Sequence, residues 1–194
     1  TFRALAEEAT DEVLRLLGRA RTASTRQLPI GGGTDMPQGG PATERFIDRI
    51  AQDSGLGRVR AQALLRRYGT QALRMAPHFK VAGDVPLQHA PDYSAAEVAW
   101  LCTETGVIHL DDLVIRRTLL AIRGLVTDAA LAEMAGIAAQ ALGWDAEREQ
   151  QELHNCTTAL RERHGVRLAP AVPDSDAAPA FHASLTKHPA LSPT

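Results

Sequence analysis

The spacing of apolar residues between positions 43 and 165 constrains the fold most strongly. These residues recur every three or four positions, as on one face of an α-helix, and no alternating strand pattern of useful length interrupts them. Gly69, Gly143 and Gly165 follow such stretches, at positions where glycine commonly ends a helix. The pattern predicts an all-α fold, a compact bundle of about five to seven helices joined by short loops.

A further helix is predicted over residues 2–17, where apolar and acidic residues occupy different faces and Gly18 follows as a stop. Residues 77–92 are predicted as a loop because proline and glycine interrupt them. Buried stripes are expected at Ile115, Leu119, Ile122 and Val126, and in the next helix at Leu131, Met134, Ala135, Ala138 and Leu142. The last long helix begins at Asp145, and Glu152 is expected on its exposed side.

Composition and helix pattern divide the chain into four predicted segments. Residues 1–18 form the N-terminal helix, and 19–42 form a linker in which Gly31 to Gly33 act as a flexible connector. Residues 43–166 form the helical domain. Residues 167–194 hold many prolines and few large apolar side chains, so an irregular tail is expected there.

The composition excludes several classes of protein. Hydrophobic residues make up 44% of the chain, enough for a core, while the net charge of −2 gives no overall attraction for nucleic acid or membrane. Cys102 and Cys156 are the only cysteines, so we expect a reducing compartment and no disulfide framework. The acidic, amphipathic start predicts no signal peptide. The first residue is Thr and not Met, and we therefore expect a longer parent polypeptide.

Motifs that would carry chemistry are missing from the sequence. The seven histidines form no His-Glu-x-x-His pattern, and His154 and Cys156 lie on different faces of a predicted helix. Gly31 to Gly33 lack the spaced glycines and the Lys-Ser/Thr ending of a phosphate-binding loop. We therefore assign no catalytic residue and no metal ligand.

Charged residues at predicted helix ends are interpreted as caps and ion pairs. Ser94 and Glu97 match a capping box at the start of one helix. Asp111 or Asp112 is expected to cap the next helix. Arg116 and Arg117 could form an anion site, but ion pairs between neighbouring helices explain them more simply, because arginine forks suit carboxylates.

A basic segment leaves one alternative open. Residues 54–83 contain six basic side chains and no acid, and they begin with a Gly-Leu-Gly turn between two predicted helices. This arrangement resembles the helix-hairpin-helix element, whose turn presents backbone amides to DNA phosphates. The alternative function is therefore a DNA-binding module, tested by salt-sensitive duplex binding that Arg66→Glu and Arg67→Glu would abolish.

Several segments taken together are similar to one family. They occur in order along the chain: Thr-Phe-Arg-Ala-Leu-Ala-Glu-Glu-Ala-Thr-Asp at 1–11, Arg-Thr to Leu-Pro at 21–29, Arg-Tyr-Gly-Thr-Gln-Ala at 67–72, Tyr93 to Glu97, Asp111 to Thr118, and Leu-Gly-Trp-Asp at 142–145. This set resembles the C-terminal helical domain of FAD-dependent glycerol-3-phosphate dehydrogenases and oxidases. Phe2 departs from the family's usual Tyr. The Arg-Tyr-Gly match also accounts for the apparent hairpin, so nucleic acid is not an expected partner.

The resemblance implies a parent enzyme that oxidises sn-glycerol 3-phosphate to dihydroxyacetone phosphate and passes electrons through FAD to quinone, or to oxygen in oxidases. By the same resemblance, residues 1–18 would be the last helix of the flavin domain. The dinucleotide-binding motif and the catalytic groups would precede residue 1, so this chain alone is expected to be inactive and to bind FAD weakly or not at all. Thr1 alone aligns with the family's flavin turn. The implied partner is the chain's own flavin domain, and a homo-oligomer is left open. A cytoplasmic location is implied, and association of the parent with the inner face of the cell membrane is left open.

Overall fold

A computed structural model describes residues 2–168, and within this range the chain forms seven α-helices and no strand. The all-α prediction is therefore confirmed. The helices are α1 Phe2–Leu16, α2 Gly40–Ser54, α3 Arg58–Tyr68, α4 Ala72–Ala82, α5 Ala95–Glu104, α6 Asp128–Leu142 and α7 Ala146–Thr158. Short 3-10 helices span Gly31–Gly33 and Gly69–Gln71, and π-helices span Asp112–Arg117 and Ala159–Arg163.

The chain divides into two compact units, Thr1–Gly83 and Asp84–Thr194. The boundaries predicted at residues 18, 42 and 166 stay predictions. Most of the predicted tail, from residue 169, lies outside the described residues. None of the helices within residues 2–168 combines the length and the hydropathy that crossing a membrane requires.

The core of the first unit lies between α2, α3 and α4. Ile50, Leu64 and Met75 are fully buried, one from each helix, because the apolar residues of each helix recur on a single face. Gly55 ends α2 in the left-handed conformation, with φ of 76°, which glycine adopts without steric cost. The three- to four-residue apolar spacing noted between positions 43 and 165 thus produces the observed core of this unit.

Helix α4 corrects the loop predicted over residues 77–92, because it continues through Pro77 to Ala82. A proline inside a helix removes one backbone hydrogen bond and costs about 3 kcal/mol. Met75 and Ala76 beside it are fully buried and Phe79 is 2% exposed, so burial of the α4 face offsets that cost. Irregular backbone follows only after Gly83.

The second unit is built on α6, which packs against both α5 and α7. Val98 of α5 and Met134 of α6 are fully buried between these helices. Side-chain caps begin α6 and α7: the Thr127 hydroxyl accepts from the Ala130 amide at 3.0 Å, and the Asp145 carboxylate accepts from the Arg148 amide at 2.8 Å. These caps fix where each helix starts.

The helix predicted through residues 115–126 is wrong. The π-helix ends at Arg117, and Leu119 and Ile122, expected in a buried stripe, are 51% and 84% exposed. The Thr118 hydroxyl donates to the Val114 carbonyl at 2.9 Å, and Thr118 itself is extended. This local bond competes with helical pairing, so the chain turns away after residue 117.

Candidate functional site

Thr1, the residue assigned to the flavin turn by resemblance, lies outside the described residues. The helix that follows it, α1, buries none of its side chains. Its apolar face is open to solvent: Phe2 is 76% exposed, Leu5 68% and Leu16 70%. The polar face of α1, by contrast, is engaged by the linker.

Glu7 on α1 ties the linker to this helix. Its Oε1 accepts from the Ser24 hydroxyl and the Thr25 amide, both at 2.8 Å, and lies 3.2 Å from the Arg21 guanidinium. The hydrogen bond from Ser24, helped by the Thr25 bonds and the Arg21 charge, lowers the pKa of Glu7 to about 2. A cleft of about 560 Å³ lies between α1 and residues 19–25, with Glu7, Thr10 and Arg21 among its lining residues.

The middle of the predicted linker is held against the end of α3. A Cβ placed on Gly32 would lie 1.8 Å from the Tyr68 carbonyl oxygen, and one on Gly69 would lie 2.2 Å from the Gly32 oxygen. The Thr70 hydroxyl lies 3.1 Å from the Gly32 oxygen and 2.7 Å from the Thr34 oxygen. We name Gly32, Gly69 and Thr70 the glycine clamp. Here the glycines provide close backbone approach, where the sequence predicted a flexible connector.

The predicted caps and ion pairs of the second unit lie around the π-helix Asp112–Arg117. The Asp112 carboxylate accepts from the amides of Ile108 and His109, at 3.1 and 3.0 Å, and lies 2.9 Å from the Arg116 guanidinium. Partial burial opposes ionisation, but the His109 and Ile108 amides and the Arg116 charge outweigh it, so the pKa of Asp112 is lowered. Asp111 lies 3.2 Å from the same guanidinium and forms no side-chain cap.

Arg117 points away from this cluster and holds a loop. Its guanidinium donates to the Thr105 carbonyl at 2.8 and 3.0 Å and to the Thr105 hydroxyl at 3.0 Å. Arg116 and Arg117 therefore bind separate protein groups, Asp111 and Asp112 for the first and Thr105 for the second. The geometry fits the interpretation that both arginines tie segments of the domain together.

Tyr93, Ser94 and Glu97 lie together at the start of α5. The Ser94 hydroxyl accepts from the Glu97 amide at 3.2 Å, and Glu97 is fully buried. The Tyr93 hydroxyl accepts from the Leu119 amide at 2.9 Å, and its ring is buried. The segment thus links the entry of α5 to the turn that follows the π-helix.

Sequence reasoning missed Glu152, which it placed on an exposed face of α7. The side chain is 3% exposed and lies beside the start of the π-helix. Its Oε2 accepts from the Leu110 amide at 2.9 Å, and its Oε1 lies 2.9 Å from His109 Nδ1 and 2.7 Å from Arg148. Arg148 four residues before Glu152 was the signal available in the sequence, since i,i+4 pairs share a helix face.

The cysteines have the environment of core residues. Cys102 and Cys156 are both free and buried. Burial raises the pKa of Cys102 to about 11 and, together with nearby carboxylates, the pKa of Cys156 to about 12. A thiol held protonated in this way is a poor nucleophile. Across residues 2–168, no group of three or more His, Cys, Asp or Glu side chains could hold a metal ion.

The turn at Gly55 to Gly57, where the basic segment begins, does join two helices, α2 before it and α3 after it. Arg58, the first residue of α3, forms ion pairs with Glu44 and Asp48 of α2. Two carboxylates thus accompany the turn that would have to approach a DNA phosphate. This arrangement gives the DNA-binding alternative no additional support.

Comparison with known proteins assigns the chain to a family. The sequence profile of the family described as the C-terminal domain of alpha-glycerophosphate oxidase matches residues 23–149. The chain belongs to this family. The match includes the glycine clamp, the start of α5 and the π-helix, and it confirms the resemblance found in the sequence.

Relatives of this family member extend the match along most of the chain. Glycerol-3-phosphate dehydrogenase of Mycobacterium leprae is 30% identical over 191 residues, which cover 95% of this chain and 31% of the relative. Glycerol-3-phosphate dehydrogenase 2 of Mycobacterium tuberculosis is 29% identical over 196 residues, with the same shares. The mitochondrial glycerol-3-phosphate dehydrogenase of Mesocricetus auratus is 29% identical over 168 residues, covering 82% of this chain and 22% of that protein. The chain therefore spans about a third or less of these relatives.

Proposed function

We propose that this chain is the C-terminal domain of an FAD-dependent glycerol-3-phosphate dehydrogenase, and that the domain supports the enzyme without supplying a catalytic residue. The observation that carries the proposal is the match to a C-terminal domain family together with relatives named as glycerol-3-phosphate dehydrogenases. The parent would oxidise sn-glycerol 3-phosphate to dihydroxyacetone phosphate and pass electrons through FAD to quinone. The flavin would supply the redox chemistry.

The side chains of this domain support a structural role. Asp112, Glu152 and Arg117 each bind backbone groups of neighbouring loops, which is the work of a scaffold. A catalytic acid or base needs a pKa near the working pH and access to substrate. Asp112 has a lowered pKa and Glu152 is buried among its donors, so neither meets both conditions.

Helix α1 is the element proposed to meet the rest of the parent. Its exposed apolar face is the kind of surface that a partner covers. Its N-terminal end carries a partial positive charge, which would favour negative charge on a reduced flavin. We expect the isolated chain to cover this face by self-association, and sedimentation over a range of concentrations measures it. A monomer at every concentration would contradict this expectation.

The test uses the full-length protein and this chain side by side. The full-length protein should show a flavin absorbance spectrum and reduce a quinone analogue when sn-glycerol 3-phosphate is added. The chain of residues 1–194 alone should bind no FAD tightly and should show no turnover. Stoichiometric FAD binding by the isolated chain would refute the proposal that the flavin site lies outside this domain. A full-length protein inactive on sn-glycerol 3-phosphate would refute the proposed substrate.

The coding sequence upstream of Thr1 gives an independent check. We expect it to encode Gly-x-Gly-x-x-Gly after a strand, because this turn holds a dinucleotide pyrophosphate at a helix N-terminus. We also expect it to end in Gly-Gly-Lys-x-Thr, the flavin turn that the resemblance implies. A start codon immediately before Thr1 would remove the enzyme proposal.

A further inference from the structure

One turn of the second unit presents three large apolar side chains to solvent. Leu119 is 51% exposed, Ile122 84% and Leu125 42%. Single exposed apolar residues are ordinary, but a concentration of them on a folded surface marks an interaction site. We name residues 119–125 the apolar turn.

The apolar turn is held in place by its own hydrogen bonds. The Tyr93 hydroxyl accepts from the Leu119 amide at 2.9 Å, and the Leu125 amide donates to the Leu120 carbonyl at 2.9 Å. Leu120 and Val126 anchor it in the core, with exposures of 2% and 1%. The exposed side chains are thus presented by a preformed surface, and such a surface loses little entropy when a partner covers it.

The charges around the apolar turn argue for an apolar protein partner. Arg123 lies 2.9 Å from Asp92, and Arg116 lies within 3.2 Å of both Asp111 and Asp112. Arg117 donates to the Thr105 carbonyl and hydroxyl. Three arginines are therefore accompanied by three carboxylates, so these residues around the turn carry no net positive charge to attract an anionic membrane or nucleic acid. Burial of the three side chains is the interaction that the turn can offer.

The size of the apolar turn argues against a separate second copy as its partner. A stable complex between free proteins buries about 800 Å² and about 20 to 30 residues on each side, far more than three side chains supply. A partner on the same polypeptide needs a smaller buried area, because tethering holds it at an effective concentration of about millimolar. The match covers 31% of the Mycobacterium leprae relative and leaves 69% of its length outside. The matched family is a C-terminal domain, so most of that remaining length would precede it.

We propose that the apolar turn docks on the part of the parent polypeptide that precedes residue 1. The inference rests on the proposed function only in requiring a longer parent chain. It assigns a second contact to that part of the parent, separate in sequence from α1. Ile122 is its central residue, because it is the most exposed of the three.

The experiment places the photo-crosslinking amino acid p-benzoylphenylalanine at position 122 of the full-length protein. After irradiation, mass spectrometry should find position 122 joined to peptides from the region before residue 1. The matched control carries the same amino acid at position 140, where Gln140 is exposed on α6 in the same unit. This control should not form the crosslink to the region before residue 1. Activity on sn-glycerol 3-phosphate is measured on the same sample, so failure of the proposed function is seen separately from failure of docking.

Each other crosslinking result would overturn the proposal: products between two copies, products only with lipid, no product at all, or equal products from the Gln140 control. Ile122→Ser provides a second readout if the large probe disturbs folding. Docking should shield the turn, so trypsin should cleave after Arg123 faster in Ile122→Ser than in the unchanged full-length protein. Cleavage after Arg26 in the linker should stay constant, and unchanged cleavage after Arg123 would also overturn the proposal.

Discussion

Removing the Glu152 carboxylate should destabilise the second unit more than removing any exposed acid of α7 does. The side chain is 3% exposed and accepts from the buried Leu110 amide, and it pairs with Arg148. Glu152→Ala leaves that amide without an acceptor, which costs about 1–3 kcal/mol. Loss of the half-exposed Arg148 pair adds about 0–1 kcal/mol. We therefore expect Glu152→Ala to lower the free energy of unfolding by about 1–4 kcal/mol.

Two further variants separate hydrogen bonding from general damage to the helix. Glu152→Gln keeps one acceptor oxygen for Leu110 and loses the charge, so it should cost about 1 kcal/mol. Glu147→Ala removes an exposed acid of the same helix and should stay within about 0.5 kcal/mol of the unchanged protein. The loss of stability should therefore be largest for Glu152→Ala, smaller for Glu152→Gln and smallest for the Glu147→Ala control.

Urea unfolding followed by tryptophan fluorescence is the measurement, because Trp100 and Trp144 are the only tryptophans and both lie in the second unit. Their signal therefore reports the unit that contains Glu152. The reasoning is refuted if Glu152→Ala unfolds at the same urea concentration as Glu147→Ala. That result would show that the buried amide finds another acceptor.

Three other outcomes are expected. Gly32→Ala should speed tryptic cleavage within the linker because its Cβ would lie 1.8 Å from the Tyr68 oxygen, whereas Gly57→Ala, with open space around its Cβ, should not. The pKa of Glu7 in the folded chain is lowered from 4.5 to about 2. The contact between Glu7 and the linker should therefore be fully formed above about pH 4.5 and should weaken as the pH falls toward 2. NMR of the Thr25 amide follows this change, and Glu7→Gln should abolish it. Cys102 and Cys156 should react with a thiol reagent only as the chain unfolds, since both are buried with raised pKa values.

The sequence was sufficient for the helices whose apolar residues form a single buried face. The spacing of apolar residues alone was enough to predict helices α2, α3 and α6. Gly55 and Gly143 end α2 and α6 in the left-handed conformation. Spacing fails where another group captures the backbone. Leu119 continues a helical stripe in sequence, but its amide is taken by the hydroxyl of Tyr93, 26 residues earlier.

The candidate site shows the same limit for polar residues. Ser94 could be assigned as a cap because a cap bonds within three residues, and its hydroxyl does accept from Glu97. The role of Glu152 could not be assigned in this way, because the amide that it accepts from belongs to Leu110, 42 residues away. The glycine clamp could not be found for the same reason, since composition shows that Gly32 is flexible in an isolated chain but not which backbone approaches it.

The placement of the acids favours a supporting role for the whole domain. Asp112 and Glu152 receive amides from the segment before the π-helix, and Glu133 on α6 accepts from the amides of Gln88 and His89 at 2.7 and 2.9 Å. Each carboxylate therefore fixes a loop that has no helical partners for its own amides. An acid used in this way is most effective when it stays ionised and still, whereas a catalytic acid must exchange protons with substrate. Loops held by such acids give the domain a preformed surface, which would lower the entropic cost of the docking proposed above.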